Sequence, residues 1–163
     1  MLRLTMAFLK SKRRKVPVKR KMPQAVTKLG LDRVNRFRVA HLATADAAGQ
    51  PLVVPVCFAC GQGSIYSVVD EKPKRVPAAR LRRLRNIEAN PQVSLLVDHY
   101  EENWSRLSYI LVEGSAELLP AGKEHRAAIG LLRRKYAPYR KMQLENKPVI
   151  KIAPRRLISW KAG

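Results

Sequence analysis

The chain has 163 residues, enough for one ordinary domain that buries about two-thirds of its unfolded surface, and its 46% hydrophobic and 28% charged residues are globular usage. The charge is the outlier, since 33 Lys plus Arg against 12 Asp plus Glu gives +21 and directs attention to anionic partners. Two cysteines exclude a disulfide framework, and the lack of a run of 18 apolar residues excludes a membrane-spanning helix, so a cytoplasmic protein without a membrane partner is expected.

The first 21 residues carry nine cations and no acid. Residues 1–23 read as a basic arm ending near Met22-Pro23, set apart from a domain over residues 24–163. The arm is a solvated extension, a stretch upstream of a working start at Met22, or a segment that binds nucleic acid or anionic lipid. Its apolar start, MLRLTMAFL, has its cations after it rather than before it, which argues against a secretory signal.

Ala25 to Phe37 has helical spacing of Val26, Leu29, Val34 and Phe37. Arg38 to Thr44 then alternates as a strand, Asp46 to Gln50 has hairpin-loop chemistry, and Pro51 to Ala59 is the partner strand. A Gly61-Gln62-Gly63 turn leads to a third strand, Ser64 to Val69. Within DEKPKRVPAARLRRLRNIEANP, residues 70–91, Leu81, Leu84 and Ile87 share a helical face, Pro77 suits the first turn, and Asn90-Pro91 ends the helix. Val93 to His99 and Leu107 to Leu119 are further strands, and Gly114 in the second suggests a bend or a close approach. Glu124 to Tyr136 is a helix with Ile129, Leu132 and Tyr136 on one stripe, and Val149 to Ile152 and Arg156 to Trp160 close the chain as strands. The fold class is mainly β with helices (α+β), a small antiparallel barrel with helices packed against it, because the first three strands are hairpin-linked.

Catalytic motifs are sparse. GxSxG, HExxH and P-loop patterns are absent and the three histidines are scattered, so no metal ligand is assigned. Cys57-Phe58-Ala59-Cys60 has CxxC form, yet residues three apart in a strand point to opposite faces, which favours ordinary thiols. Seven cations, Lys72, Lys74, Arg75, Arg80, Arg82, Arg83 and Arg85, crowd fourteen positions and face a nucleic acid, a membrane, a cofactor phosphate or water. A cationic loop beside a helix N-terminus suits a phosphate, which favours a binding role for Lys72 and Lys74; Arg82, Arg83 and Arg85 read as the solvated side of an amphipathic helix. Nucleic acid fits this loop less well, since no aromatic lies between Val69 and His99 to stack bases, and nucleic-acid binding is left to the arm. Trp104, flanked by acids, and Trp160 read as core or dimer-interface aromatics.

RVAHLATADAAGQPLVVPVCFA, IYSVVDEKPKRVPAARLRRLRNIEANPQVSLLVDHYEENWSRLSYILVEGSAELL and YAPYRKMQLENKPVIKIAPRRLISW together resemble the split β-barrel flavin and deazaflavin oxidoreductases. The likeness is to the coenzyme F420-dependent branch of the pyridoxamine-phosphate-oxidase class and runs from about Arg38 to Trp160. It implies a six-stranded antiparallel split β-barrel, homodimeric, with two cofactors in clefts at the interface. The same resemblance gives Lys72 and Lys74, and less firmly Arg75, the cofactor phosphate. It lays Ser67 and Val68 along the cofactor, Pro55 and Val56 near its rings, and Trp104 close to the pocket. The implied activity is hydride transfer between coenzyme F420 and a small organic acceptor, with FMN the alternative cofactor. A non-catalytic cofactor carrier and a nucleic-acid binder are the rival functions. No catalytic residue is named, because the hydride chemistry belongs to the cofactor. The basic arm lies outside the resemblance, and Tyr136-Ala137-Pro138-Tyr139 departs from it where Pro tends to follow the first Tyr directly.

Overall fold

A computed structural model of the chain describes residues 26–70 and 81–163. Helix α1, Lys28–Asn35, begins later than its spacing suggested because Thr27 caps it, its hydroxyl accepting from the Gly30 amide at 3.1 Å. Leu31 and Val34 face the core, whereas Leu29, expected on the apolar stripe, is 70% exposed. Strands β1, Ala40–Ala45, and β2, Pro51–Val56, are joined by a loop in which the Asp46 carboxylate accepts from the amides of Ala48 and Gln50 at 3.0 and 2.9 Å. Strands β3, Ala59–Gly61, and β4, Ser64–Val68, follow, linked by Gln62 and Gly63 with φ of 52° and 75°, the left-handed pair that a two-residue hairpin turn requires.

Helix α2 spans Arg82–Ala89, β5 Gln92–His99, β6 Ser108–Leu119, α3 Lys123–Lys135 and β7 Val149–Lys161, with single 3-10 turns at Trp104–Arg106 and Ala137–Lys141. The sheet order is β2-β1-β5-β6-β7-β4-β3, and each pairing is antiparallel.

That order forces curvature. β2 and β3 lie at opposite edges, yet only Cys57 and Phe58 separate them. Seven flat strands would be roughly 29 Å wide, while the three Cα steps from Val56 to Ala59 reach at most about 11 Å. The edges must meet, and the sheet curls into the expected split barrel. The seven strands are one more than the resemblance implies and match the number of runs read along the chain, although the run from Pro51 to Ala59 breaks at Cys57-Phe58. In the other direction, Val149–Ile152 and Arg156–Trp160 are one strand, with a register shift that leaves Arg155 unopposed between Glu113↔Arg156 and Gly114↔Pro154. Gly114 is the close approach its sequence position suggested, since a Cβ there would stand 2.4 Å from the Ala153 carbonyl oxygen.

Two apolar clusters result. Leu42, Phe58, Ile65, Leu95, Val112 and Ile152 fill the barrel, with Leu84 and Ile87 of α2 among them. Ile129, Leu132 and Tyr136 of α3, the predicted stripe, pack outside it on Tyr66, Val68 and Val149. β4 is therefore buried on both faces.

Candidate functional site

The seam where the sheet edges meet is held by side chains from both flanking helices. The Tyr136 hydroxyl accepts from the Phe58 amide at 3.0 Å, and its own hydrogen lies between the carbonyls of Phe58 and Arg38, each at 2.8 Å. Lys135 donates to the Asn35 side-chain oxygen at 3.1 Å with its ammonium 3.8 Å from the centre of the Phe58 ring, and the same Asn35 oxygen accepts from the Cys60 amide at 2.9 Å. Burial lowers the Lys135 pKa to about 8 and pushes the Cys60 thiol and the Tyr136 phenol each up to about 12. Neither cysteine forms a disulfide; Cys60 packs on the barrel cluster and Cys57 on the α3 cluster. These bonds fix the path of the chain just after Pro55 and Val56.

Pro55 is exposed on the β2 edge opposite His41, and Val56 is buried. Ser67 and Val68 are buried on neighbouring β4, Val68 towards α3 and Ser67 on the other face with Ile65 and Val69. Next in the chain, the Asp70 carboxylate accepts from the Tyr139 hydroxyl at 3.0 Å. Burial first, then hydrogen bonds with Cys57 and Asp70, drives the Tyr139 pKa far up, so this phenol stays a donor. Lys72, Lys74, Arg75 and Pro77 lie outside the described residues.

Leu81 is the N-cap of α2 and provides no side-chain cap, and the first turn holds no acid. The open amides favour an anion there. Arg82 and Arg85 are exposed as expected, Arg82 lying 3.8 Å from Asp46. Arg83 departs from the expectation. It is half-buried, and desolvation lowers its pKa against the opposing pull of Asp70 and Tyr139. The signal was legible: Arg83 precedes Ile87 by four residues and so sits about 40° from that core residue around the helix. Asn86, also missed, is buried and donates to the Thr44 hydroxyl at 3.0 Å.

Ser67, Val68 and Asp70 lead into the 71–80 segment and Arg83 follows it, with Asp70 and Arg83 near enough for their charges to interact, while Pro55 and Val56 end β2. Trp104 does not join them. It sits in the 3-10 turn between β5 and β6, is 68% exposed and belongs to neither apolar cluster. A cavity of about 580 Å³ between α1 and the β3–β4 turn, lined by Lys28, Asp32 and Gln62 among others, includes none of the predicted site residues. Among the described residues no His, Cys, Asp or Glu group is arranged to hold a metal ion.

Among the described residues no helix covers the outer face of β2-β1-β5-β6-β7. One row across it reads Pro55, His41, Leu96, Leu111 and Ile158, and beside that row Tyr109 stacks on Trp160 with ring centres 5.8 Å apart. No helix among the described residues is long and apolar enough to cross a membrane.

The arrangement has parallels among known proteins. The family model described as pyridoxamine 5'-phosphate oxidase matches residues 28–161. The conserved hypothetical protein Rv2991 of Mycobacterium tuberculosis is 20% identical over 88% of this chain and 90% of its own, with a TM-score of 0.68. An FAD-binding protein of Mesorhizobium loti is 23% identical over 88% and 100%, with a TM-score of 0.62. The heme storage protein HutZ of Vibrio cholerae is 18% identical over 86% and 96%, with a TM-score of 0.61. No curated protein sequence matches. At these identities the solved structures speak to the fold alone, but the family model spans the barrel from α1 to the end of β7, and the chain belongs to the pyridoxamine 5'-phosphate oxidase family.

Proposed function

We propose that this protein is an oxidoreductase that binds coenzyme F420, with FMN the alternative, and passes a hydride to a small organic acceptor. The observation that carries the reading is the frame around the cationic 71–80 segment. On one side Asp70 is tethered by Tyr139; on the other, α2 opens with uncapped amides, no first-turn acid and a half-buried Arg83. That donor set fits a phosphate, since both the helix terminus and the guanidinium favour an anion. Lys72, Lys74 and Arg75 supply further cations from the segment itself, Ser67 and Val68 run beside the cofactor, and the Pro55-Val56 backbone borders its rings. Hydride transfer is the chemistry the cofactor brings when bound. The protein's part is to hold it and to exclude water.

A homodimer completes the site in this reading. The helix-free outer sheet face is apolar along its central row, and Trp104 reaches the cofactor cleft only if a second chain brings one cleft to the other chain's Trp104. The protein acts in the cytoplasm as part of the same proposal.

The test is a parallel titration of the purified protein with coenzyme F420, FMN and hemin, the last because one similar fold stores heme. Saturable binding of F420 in preference to FMN is expected, and Arg83→Ala should weaken it by about tenfold or more, the worth of a hydrogen bond to a charged group. Binding of FMN alone moves the protein to the flavin branch. Binding of neither overturns the reading, and binding of hemin alone replaces it.

A further inference from the structure

Two acid-free stretches of sequence meet at the C-terminal ends of α1 and α3. Residues 33–45 contain Arg33, Arg36 and Arg38; residues 126–144 contain Arg126, Arg133, Arg134, Lys135, Arg140 and Lys141. Contacts join them. Arg38 donates to the Lys135 carbonyl at 2.6 Å and lies 4.6 Å from the centre of the Tyr136 ring, Lys135 reaches Asn35, and Arg140 donates to the Arg133 carbonyl at 3.3 Å. Among the described residues, only Arg133 of these nine cations pairs with a carboxylate, Glu145 at 2.7 Å. Arg33, Arg36, Arg38, Arg126, Arg134, Arg140 and Lys141 are exposed.

Helix dipoles account for part of this. A cation in the last turn of a helix contributes about 0.3–1 kcal/mol, which covers Arg33 and the Arg133–Lys135 run. It leaves Arg126, near the opposite end of α3, and Lys141, beyond its end, with no partner among the described residues, and Arg140 with only its bond to the Arg133 carbonyl. Like charges gathered on one face also repel and cost stability.

We infer that this face, built on the ends of α1 and α3, binds the phosphate backbone of duplex nucleic acid without reading its sequence. An extended polyanion matches several unpaired cations spread over two elements, and each neutralised phosphate releases counterions. Single strands fit less well, because the exposed aromatics Tyr100, Trp104 and Trp160 lie on other elements and none offers a stacking platform here. A bilayer also fits less well. Leu29 and Val39 are the exposed aliphatics beside the cations, and two such side chains anchor a surface poorly. The inference is independent of the cofactor reading and goes beyond the basic arm, to which sequence alone confined nucleic-acid binding.

The experiment measures binding of the full-length chain to a random duplex of about 20 base pairs over a series of salt concentrations. Arg36→Gln, Arg134→Gln, Arg140→Gln and Lys141→Gln, combined, should flatten the slope of log affinity against log salt by about three to four, near 0.9 per lost phosphate contact. A control combining Arg85→Gln, Arg106→Gln, Arg155→Gln and Lys161→Gln should change that slope by less than about one. The inference is overturned if both variants weaken binding equally, or if deleting residues 1–21 abolishes binding while the four-site variant binds as the wild type does. It is also overturned if the chain binds phosphatidylserine vesicles and not the duplex.

Discussion

The two outward-facing surfaces of the barrel are built from the same alternating strands but are treated differently. Over β4 and the start of β7 the outer face is covered by α3, and the polar groups caught beneath it are paired. The Tyr66 hydroxyl donates to Glu124 at 2.7 Å, Lys151 bridges Glu117 and Glu124 at 3.0 Å each, and the His125 ring lies 2.8 Å from the Lys147 carbonyl. Over β2-β1-β5-β6-β7 no helix among the described residues covers the sheet, and Leu96, Leu111 and Ile158 are partly open in its central row. Burial with pairing serves stability, whereas an apolar row left open is what the second chain of the dimer proposed above would cover. Of the candidate cofactor residues, Pro55 and Val56 end β2 at one sheet edge, and Ser67 and Val68 lie on β4, next to the other edge strand β3.

Truncation on the covered side should have the largest effect. Leu132 is fully buried between α3 and β4, so Leu132→Ala should lower unfolding stability by about 2–5 kcal/mol, read from the denaturant midpoint. On the open face, Leu111→Glu should leave the monomer's fold intact, as a partly exposed charge costs the fold little, but should disperse the proposed dimer in sedimentation. If Leu111→Glu unfolds the chain, or sediments as the wild type does, this face is not the interface and the comparison fails at that point.

The sequence made the covered side legible. Ile129, Leu132 and Tyr136 fell on one helical stripe, and all three are buried, because period alone decides which side of an amphipathic helix turns inward. The strand runs were legible for the same reason, but their ends were not. Nothing in Pro51 to Ala59 announces that the chain bends at Cys57-Phe58 and carries its pairing from β1 to β4. That break is imposed from a distance by Tyr136 and Lys135, about 78 residues further on. Of the candidate site, Pro55 and Val56 end β2, Ser67 and Val68 lie on β4, Trp104 sits in the turn between β5 and β6, and Arg83 was passed over. Its charge read as solvation, although its angle to Ile87 placed it at the margin of the core.

Alkaline pH probes the seam with the smallest expected effect. The Lys135 ammonium, held near a pKa of about 8 by burial against a usual 10.5, releases its proton more readily folded than unfolded. Between about pH 8 and 10.5 the unfolded chain therefore binds more protons, and stability rises with pH. Cys60 acts in the opposite sense. Its thiol moves from 9.0 to about 12, so above pH 9 the folded chain holds a proton that the unfolded chain has lost, and stability falls as pH rises; Tyr136, raised from 10.0 to about 12, adds to that fall. The wild type should thus gain about 1 kcal/mol from pH 8 to 9, one pH unit's worth of a single proton trimmed for the partial exposure of Lys135, and then level off and decline. Cys60→Ser removes the first opposing titration, so denaturant unfolding under reducing conditions should show the rise continuing to about pH 10. Lys135→Met should abolish the rise and leave only the decline. An unchanged alkaline profile in Lys135→Met would mean that the ammonium does not sense the seam, and that Tyr136 and Asn35 hold it without Lys135.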